Sequence, residues 1–462
     1  MGRVYLIGIG GSGMSAIARV LLESGYQVSG SDRQPSPLTG QLQKAGAKVS
    51  IGHRPENVIG AELVVRSSAV PEDNVEVRAA RSAGIPVLKR ADFLGELMGG
   101  RLGIAVAGTH GKTTTTAMIS WVLTALGQDP SFIIGSTAKN LNTNAHAGKG
   151  AAFVIEADEY DLMFLGLRPT IAVVTNIEHD HPDCFPTAEA FSQAFAAFTA
   201  RLVPGGTLIA CTDDHGASEL LRMTETSEFK TRSYGINLRP DGVPPDYLGK
   251  NLGLNDLGGF DFDMLYGEIK SIAVSLRVPG EHNVRNALGT LAVIDEMSLP
   301  IHEAARALGE FAGTGRRFDI RGSAGGITLI DDYAHHPTEI RATLAAARAH
   351  FPGRNIWAVW QPHTYSRTLA LYQDFLGAFD NADHVLVLEV YAAREALRTD
   401  FSARQLAQEM HHPEVTFVED LDQAQQFFLE HLRPGDVVLV LSAGDADRLS
   451  SMLIAEFSKI EG

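Results

Sequence analysis

The sequence predicts an α/β protein built on parallel sheets, and three observations carry that prediction. Short apolar runs of strand type alternate with helical stretches over most of the 462 residues, the rhythm that crossover connections impose on a parallel sheet. Two strand-to-helix turns are rich in small residues and open straight into a helix. Polar clusters recur at the predicted C-terminal ends of strands, the edge where such sheets bind ligands. At this length two or three domains are expected, since one core rarely grows beyond ~250–300 residues.

The first element is the strand pattern Arg3 to Ile9, followed by Gly10-Gly11-Ser12-Gly13-Met14 and a helix through Ile17, Val20 and Leu21. A second strand, Gln27 to Ser31, ends at Asp32. Gly8, Gly10 and Gly13 match G-x-G-x-x-G, with an acidic residue about twenty positions later, the dinucleotide fingerprint. Its physical content is that a diphosphate can sit on this helix N-terminus. Further units follow at Lys48–Ile51, at Leu63–Arg66 leading to Ser67 and Ser68, at Val75–Ser82 and at Ile85–Leu88. The rhythm pauses near Met98-Gly99-Gly100, where a first boundary is placed.

The strand Leu102–Ala107 runs into Gly108-Thr109-His110-Gly111-Lys112-Thr113-Thr114, and a helix leads out through Ile119, Val122 and Leu126. Backbone N–H groups at such a turn converge on an anion. Lys112 adds a mobile positive charge for terminal phosphates, and the Thr113 hydroxyl can join a magnesium shell. Gly108 stands only three residues before Gly111, closer than in the standard phosphate loop. The stretch is nevertheless a nucleotide-phosphate site.

Two further strands, Ala152–Glu156 and Thr170–Asn176, run into the acidic clusters Glu156–Asp161 and Glu178–Asp183. Carboxylates there can hold Mg²⁺ beside Thr113, and an imidazole can serve a second ion. His179 and His181 make a weak zinc motif without a third soft ligand nearby. Residues 226–269 are rich in Gly, Asp and Pro and read as an irregular β excursion or a mobile insertion. A helix then runs from about Glu281 to Glu296, and Asn283 and Asn286 share one of its faces. Their amides either read a base edge or cap the helix entry. After a second helix near 302–310, Gly313–Phe318 suits an interdomain hinge, with Arg316 and Arg317 available to phosphates.

The α/β rhythm then restarts. Ile327–Ile330 ends at Asp331-Asp332-Tyr333-Ala334-His335-His336-Pro337, and a helix follows. The strand Ile356–Trp360 leads to Gln361-Pro362-His363-Thr364-Tyr365-Ser366-Arg367. His384–Leu388 and Val437–Leu441 complete the set, the latter before Ser442-Ala443-Gly444-Asp445. Adjacent His335 and His336 do not form a metal pair: one is expected to face substrate while the other caps or packs.

The totals narrow the function classes. Hydrophobic residues make up 45% of the chain and the net charge is −16. That balance argues against nucleic-acid binding through a general basic field. No apolar stretch approaches the ~20 residues that span a bilayer, so no membrane insertion is expected. Only Cys184 and Cys211 are present, and the N-terminal residues lack a signal-peptide profile, so a reduced, cytoplasmic setting is expected. A nicotinamide oxidoreductase would use the first glycine-rich turn but leave the Lys112 loop idle. A nucleotide-gated binding protein would leave the third segment's polar strand ends idle.

In order along the chain, Gly108–Thr114, Glu156-Ala-Asp-Glu159, Asn176–His181, Gly280–Asn286, Arg316-Arg-Phe318 and Asp331–Pro337 resemble the Mur ligases of peptidoglycan synthesis. Gly8–Met14, Gln361–Arg367 and Val390–Glu395 are most similar to the branch that adds L-alanine to UDP-N-acetylmuramate. The resemblance implies a Rossmann-like UDP-sugar domain (1–99), a central P-loop-type ATP-binding domain with a parallel sheet (100–312) and a Rossmann-like amino-acid domain (313–462). It implies ATP-dependent amide formation through an acyl phosphate, with ATP and Mg²⁺ as cofactors and a monomer or weak homodimer as the working form.

It also implies roles. Gly108 through Thr114 cradle the nucleotide phosphates, with Lys112 on the β/γ-phosphates. Thr113 and Glu156 take one magnesium and His181 the second. Asn283 and Asn286 contact adenine, Arg317 the terminal phosphate and Asp332 the ribose. Gly10, Gly11, Ser12, Gly13, Met14, Asp32, Ser67 and Ser68 serve the UDP-sugar, and the first glycine-rich turn holds a UDP diphosphate. His335, His363 and Arg367 lie near the acceptor and the reacting carboxylate, with His363 a candidate base. Residues 185–202 contain no lysine, so the carbamylated lysine of several related ligases is not expected. Ser442 stands where the pattern expects glycine.

Overall fold

The computed structural model describes residues 2–224, 228–239, 241–267 and 270–461. Three sheets follow one another along the chain. In the first, β1 (Arg3–Ile7), β2 (Gln27–Asp32), β3 (Lys48–Ile51), β4 (Leu63–Arg66) and β5 (Val87–Lys89) are all parallel, in the order 3-2-1-4-5. The order reverses beside β1, so its C-terminal end, where Gly8 begins the glycine-rich turn, faces the crevice between neighbours.

The second sheet has ten strands. They are β6 (Leu102–Ala107), β7 (Ser131–Ala138), β8 (Thr143–His146), β9 (Ala152–Glu156), β10 (Ile171–Val174), β11 (Thr207–Cys211), β12 (Lys230–Gly235), β13 (Tyr247–Leu254), β14 (Phe260–Tyr266) and β15 (Lys270–Ser275). Their order is 15-14-13-12-11-10-6-9-7-8, with antiparallel pairing only at β8, β14 and β15. β6 lies between β9 and β10, so three neighbouring strand ends deliver the phosphate loop and both acidic clusters to one place. β6, β9 and β10 are buried on both faces, which explains their unbroken apolar runs.

The third sheet comprises β16 (Asp319–Ala324), β17 (Ile327–Asp332), β18 (Ile356–Trp360), β19 (His384–Val387), β20 (Val415–Phe417) and β21 (Val437–Leu441). Its order is 16-17-21-18-19-20, and only β16 is antiparallel. Here too the polar ends of β17, β21 and β18 are adjacent.

One expectation is corrected. Of the two readings of 226–269, the β excursion holds and the insertion does not: β13, β14 and β15 form an antiparallel meander, with a register shift between Lys250 and Gly253, that continues the central sheet from β12. Phe262, Met264, Tyr266, Ile272 and Val274 point inward at period two and pack against the helix Glu281–Glu296. Residues 226, 227, 240, 268 and 269 of that stretch lie outside the described residues. Among the described residues no helix is long and apolar enough to cross a membrane.

Candidate active site

The phosphate loop is shaped by two glycines. Gly108 has φ +138° and Gly111 φ +80°, and a Cβ at either would meet Thr175 Oγ1 at 2.0 Å or Asn286 Oδ1 at 2.7 Å. The loop is strapped to the end of β10. Thr109 Oγ1 donates to the Glu178 carbonyl at 2.8 Å, and the His110 N–H donates to Asn176 Oδ1 at 2.8 Å.

Lys112 opens the helix Lys112–Ala125. Its Nζ donates to the Thr109 carbonyl at 3.1 Å and to Glu159 Oε1 at 3.0 Å. Burial works against the ammonium, but Glu159, Asp158 and Glu156 more than offset it and hold the lysine charged. Thr113 Oγ1 donates to Glu156 Oε1 at 2.9 Å, and the Gly135 N–H donates to Glu156 Oε2 at 2.7 Å. Burial raises the Glu156 pKa, with Lys112 pulling the other way. A buried hydroxyl–carboxylate pair beside the phosphate loop is a hard-oxygen donor set that suits magnesium.

Beside the loop, a cleft brings together His110, Gly111, Thr114, Asn283, Asn286, Arg317 and Asp332. Glu339 and Phe318 line it too. Asn283 Nδ2 bonds the Pro279 carbonyl at 2.7 Å at the helix entry, while Asn286 Oδ1 accepts from Thr115 Oγ1 at 3.1 Å and faces the phosphate loop. Asp332 accepts the N–H groups of Phe318 and Ala334 at 2.8 and 2.7 Å, and burial pushes its pKa up to about 6.

The arginine pair diverges, which corrects the expectation that both face phosphates. Arg316 turns toward the Ser442 and Gly444 carbonyls, at 2.8 and 3.0 Å, whereas Arg317 enters the cleft, 3.4 Å from Glu339. The unexpected Ser442 has a structural use: its hydroxyl donates to Gln361 Oε1 at 2.7 Å and accepts the Gly444 N–H at 2.9 Å.

His336 supplies the cap expected of one of the two adjacent histidines. His336 Nδ1 accepts the Thr338 N–H and caps the helix Pro337–His350. His335 lies instead among Asp180, Glu339 and His363, and burial lowers its pKa to about 3. His110, Glu178 and His336 could surround a cation. However, His336 Nδ1 is spent on the cap, and His110 already sits 3.0 Å from Glu178 and 3.2 Å from Glu339. Within this cluster His110 and Glu178 are ion-paired, and His336, whose pKa burial lowers, is the neutral member.

His181 is held with φ +54°, its Nε2 3.6 Å from Glu159. Arg367 and His363 come from the third sheet's side, and Arg367 is ion-paired with Asp180. His363 Nδ1 lies 3.0 Å from Arg367 Nη1, and burial with that guanidinium lowers its pKa to about 4. That makes His363 a weak base.

At the first sheet, the Gly10 N–H donates to Asp32 Oδ2 at 2.8 Å, so the fingerprint acid closes its own turn. Met14 is a correction: its side chain is in the core, 1% exposed, leaving only backbone at the helix end. Gly11 lies on the turn, Ser67 packs near Gly8, and Ser68 is exposed at the end of β4. A second cleft joins Ser12 and Gly13 to Gly135, Glu156 and Asp158 across the unit boundary.

Sequence reasoning missed Arg90 there. A Cβ on Gly13 would lie 2.1 Å from its Nη1, and Asp158 is 3.8 Å away. Among the described residues its buried Nε has no hydrogen-bond partner. Glu159, Glu178 and Asp180 are legible in the sequence only as members of acidic clusters; the cation that each faces, like the one facing Glu339, is revealed by the structure.

Three family models match in sequence. "Mur ligase family, catalytic domain" covers residues 3–101, "Mur ligase middle domain" 106–294 and "Mur ligase, glutamate ligase domain" 316–444. The chain belongs to the Mur ligase family. It is accordingly an ATP-dependent acid–amino-acid ligase.

The ligase is 44% identical over 460 residues to a UDP-N-acetylmuramate–L-alanine ligase of Roseiflexus sp., covering 97% of this chain and 98% of that one. It is 43% identical over 468 residues to one from Bordetella petrii, covering 97% and 98%. The crystal structure of UDP-N-acetylmuramate–alanine ligase from Thermotoga maritima superposes with a TM-score of 0.82 at 27% identity, covering all of both chains. A murein peptide ligase from Psychrobacter arcticus gives 0.72 at 25%, covering 99% of each.

Proposed function

We propose that this ligase joins L-alanine to the lactyl carboxylate of UDP-N-acetylmuramate, in peptidoglycan precursor synthesis. ATP phosphorylates the carboxylate, the alanine amine attacks the acyl phosphate, and phosphate leaves as the amide forms; ADP is the other product. Phosphorylation is needed because oxide is a poor leaving group. The observation that carries the reading is the convergence at β9, β6 and β10: a phosphate loop, the Thr113–Glu156 pair and His181 share one strand edge. The full-length likeness to alanine-adding relatives selects the acceptor.

Two anions meet in the first step, so the site must supply positive charge. Lys112 serves the β/γ-phosphates and Arg317 the terminal phosphate. Gly108, Thr109, His110, Gly111 and Thr114 frame the nucleotide, Asn283 and Asn286 face adenine, and Asp332 takes the ribose. Thr113 and Glu156 would hold one Mg²⁺ and His181 a second, which when bound shields the transferring phosphoryl group. Gly10, Gly11, Ser12, Gly13, Asp32, Ser67, Ser68 and the Met14 backbone receive the UDP-sugar. His335, His363 and Arg367 bound the acceptor side. The work is divided over domains 1–99, 100–312 and 313–462, in a cytoplasmic monomer or weak homodimer.

The test is phosphate release from ATP and Mg²⁺ with UDP-N-acetylmuramate, adding alanine, serine, glycine or a tripeptide in turn. Release should need both co-substrates, be fastest with alanine and vanish in Lys112→Ala. A tripeptide preference moves the chain to murein peptide ligation, and release independent of both co-substrates refutes the ligase reading.

A further inference from the structure

Asp180 lies in the loop after β10 and is 4% exposed. Its Oδ1 accepts the His181 N–H at 2.6 Å. The same carboxylate faces Arg367, 187 positions further along and on the other side of the unit boundary. Nε of Arg367 donates to Oδ1 at 2.7 Å and Nη2 to Oδ2 at 3.2 Å. Arg367 is 3% exposed, and its guanidinium also meets His363 Nδ1 at 3.0 Å, the His363 carbonyl at 3.3 Å and His181 Nδ1 at 3.4 Å.

A buried pair of this kind is poor at adding stability, because the desolvation of both charges cancels most of their attraction. What a two-point guanidinium–carboxylate contact does well is fix geometry. Here it fixes a cation of the acceptor side against the loop that carries His181. Both Asp180 oxygens are committed, so the residue acts through its partners.

We propose that Asp180 is a positioning residue for acyl transfer: it draws Arg367 across the boundary and sets it beside His181, so that guanidinium and imidazole meet the reacting carboxylate together only when the units are docked. This rests on the ligase reading given above. Nearby, Arg394 reaches Asp183 at 3.0 Å and covers the Tyr160 ring at 4.3 Å, so the same loop is gripped at its rim as well as its buried end.

The test combines Asp180→Asn, Arg367→Gln, their double variant and the apolar pair D180L/R367M. In Asp180→Asn, kcat/KM for the amino acid should fall about 100-fold while affinity for a non-hydrolysable ATP analogue stays within about threefold. The double variant should be no worse than the worse single one, the mark of residues acting as a unit. The apolar pair should melt near the wild type yet lose turnover, which separates positioning from stability.

Hydrogen exchange on the full chain gives a readout that needs no acceptor: in Asp180→Asn, segments 178–185 and 363–370 should lose protection together. Loss in one segment alone, or in neither, overturns the proposal, as does a parallel loss of nucleotide affinity. If the wild type shows no amino-acid-dependent turnover, the ligase reading falls, and the exchange result still decides whether Asp180 docks Arg367.

Discussion

Glu159→Gln probes the electrostatics of the phosphate loop. Glu159 is 1% exposed, and its carboxylate lies 3.0 Å from Lys112 Nζ and 3.6 Å from His181 Nε2. Neutralising it leaves Lys112 with only uncharged partners in direct contact, the loop carbonyls and the new amide. Removing one partner of a buried pair costs about 3–5 kcal/mol. Glu156 and Asp158 remain to hold the ammonium, so the low end, about 3 kcal/mol, applies.

For a unit of this size that corresponds to a drop in Tm of about 6–12 °C. Terminal phosphates supply the missing negative charge, so ATP analogue should restore more of the variant's melting temperature than it adds to the wild type. Scanning fluorimetry of both proteins with and without analogue measures both effects. A variant that melts within about 2 °C of wild type, with an equal ligand shift, refutes the view that Glu159 balances the phosphate-binding lysine.

Other predictions follow from the same geometry. Gly111→Ala places a methyl group 2.7 Å from Asn286 Oδ1 at φ +80°, so nucleotide affinity should fall at least about tenfold by calorimetry; unchanged affinity contradicts the loop geometry. His110 is buried, and Glu339 and Glu178 raise its pKa to about 9. A raised folded pKa gives stability that is present below about pH 6.5 and lost as pH rises through about 9, at most about 3 kcal/mol. Wild-type Tm should therefore fall across that window more steeply than that of His110→Gln; parallel curves would show that the contacts carry no charge. Arg90→Ala, beside the first glycine-rich turn, should raise KM for the UDP-sugar at least about tenfold and leave KM for ATP within about twofold, and equal effects on both would show that Arg90 does not serve the UDP-sugar.

Much of this fold was legible because its strands are buried on both faces. Leu102–Ala107, Ala152–Glu156 and Ile171–Val174 are short apolar runs that end abruptly in polar residues, and those ends are where the site lies. The phosphate loop was legible because two glycines and a lysine adjoin in sequence. The regular alternation of Phe260–Tyr266 was less legible, because Gly and Asp turns around it mask a two-residue period in such short strands.

The charge partners were not legible. Lys112 and Glu159 are 47 positions apart, and Arg367 and Asp180 187 apart; no local pattern says which cation answers which carboxylate. Nor does spacing reveal that Arg316 and Arg317 part company: each of Arg316 and Phe318 has positive φ, which swings neighbouring side chains to different sides of the hinge.

The most direct test of acyl-phosphate ligation follows the carboxylate oxygens. UDP-N-acetylmuramate labelled with ¹⁸O on both lactyl carboxylate oxygens is turned over with ATP and alanine, and the released phosphate is analysed by mass. Activation by phosphorylation requires one labelled oxygen to leave in each phosphate while the other stays in the new amide. Phosphate released without label, alongside amide product, would contradict the account.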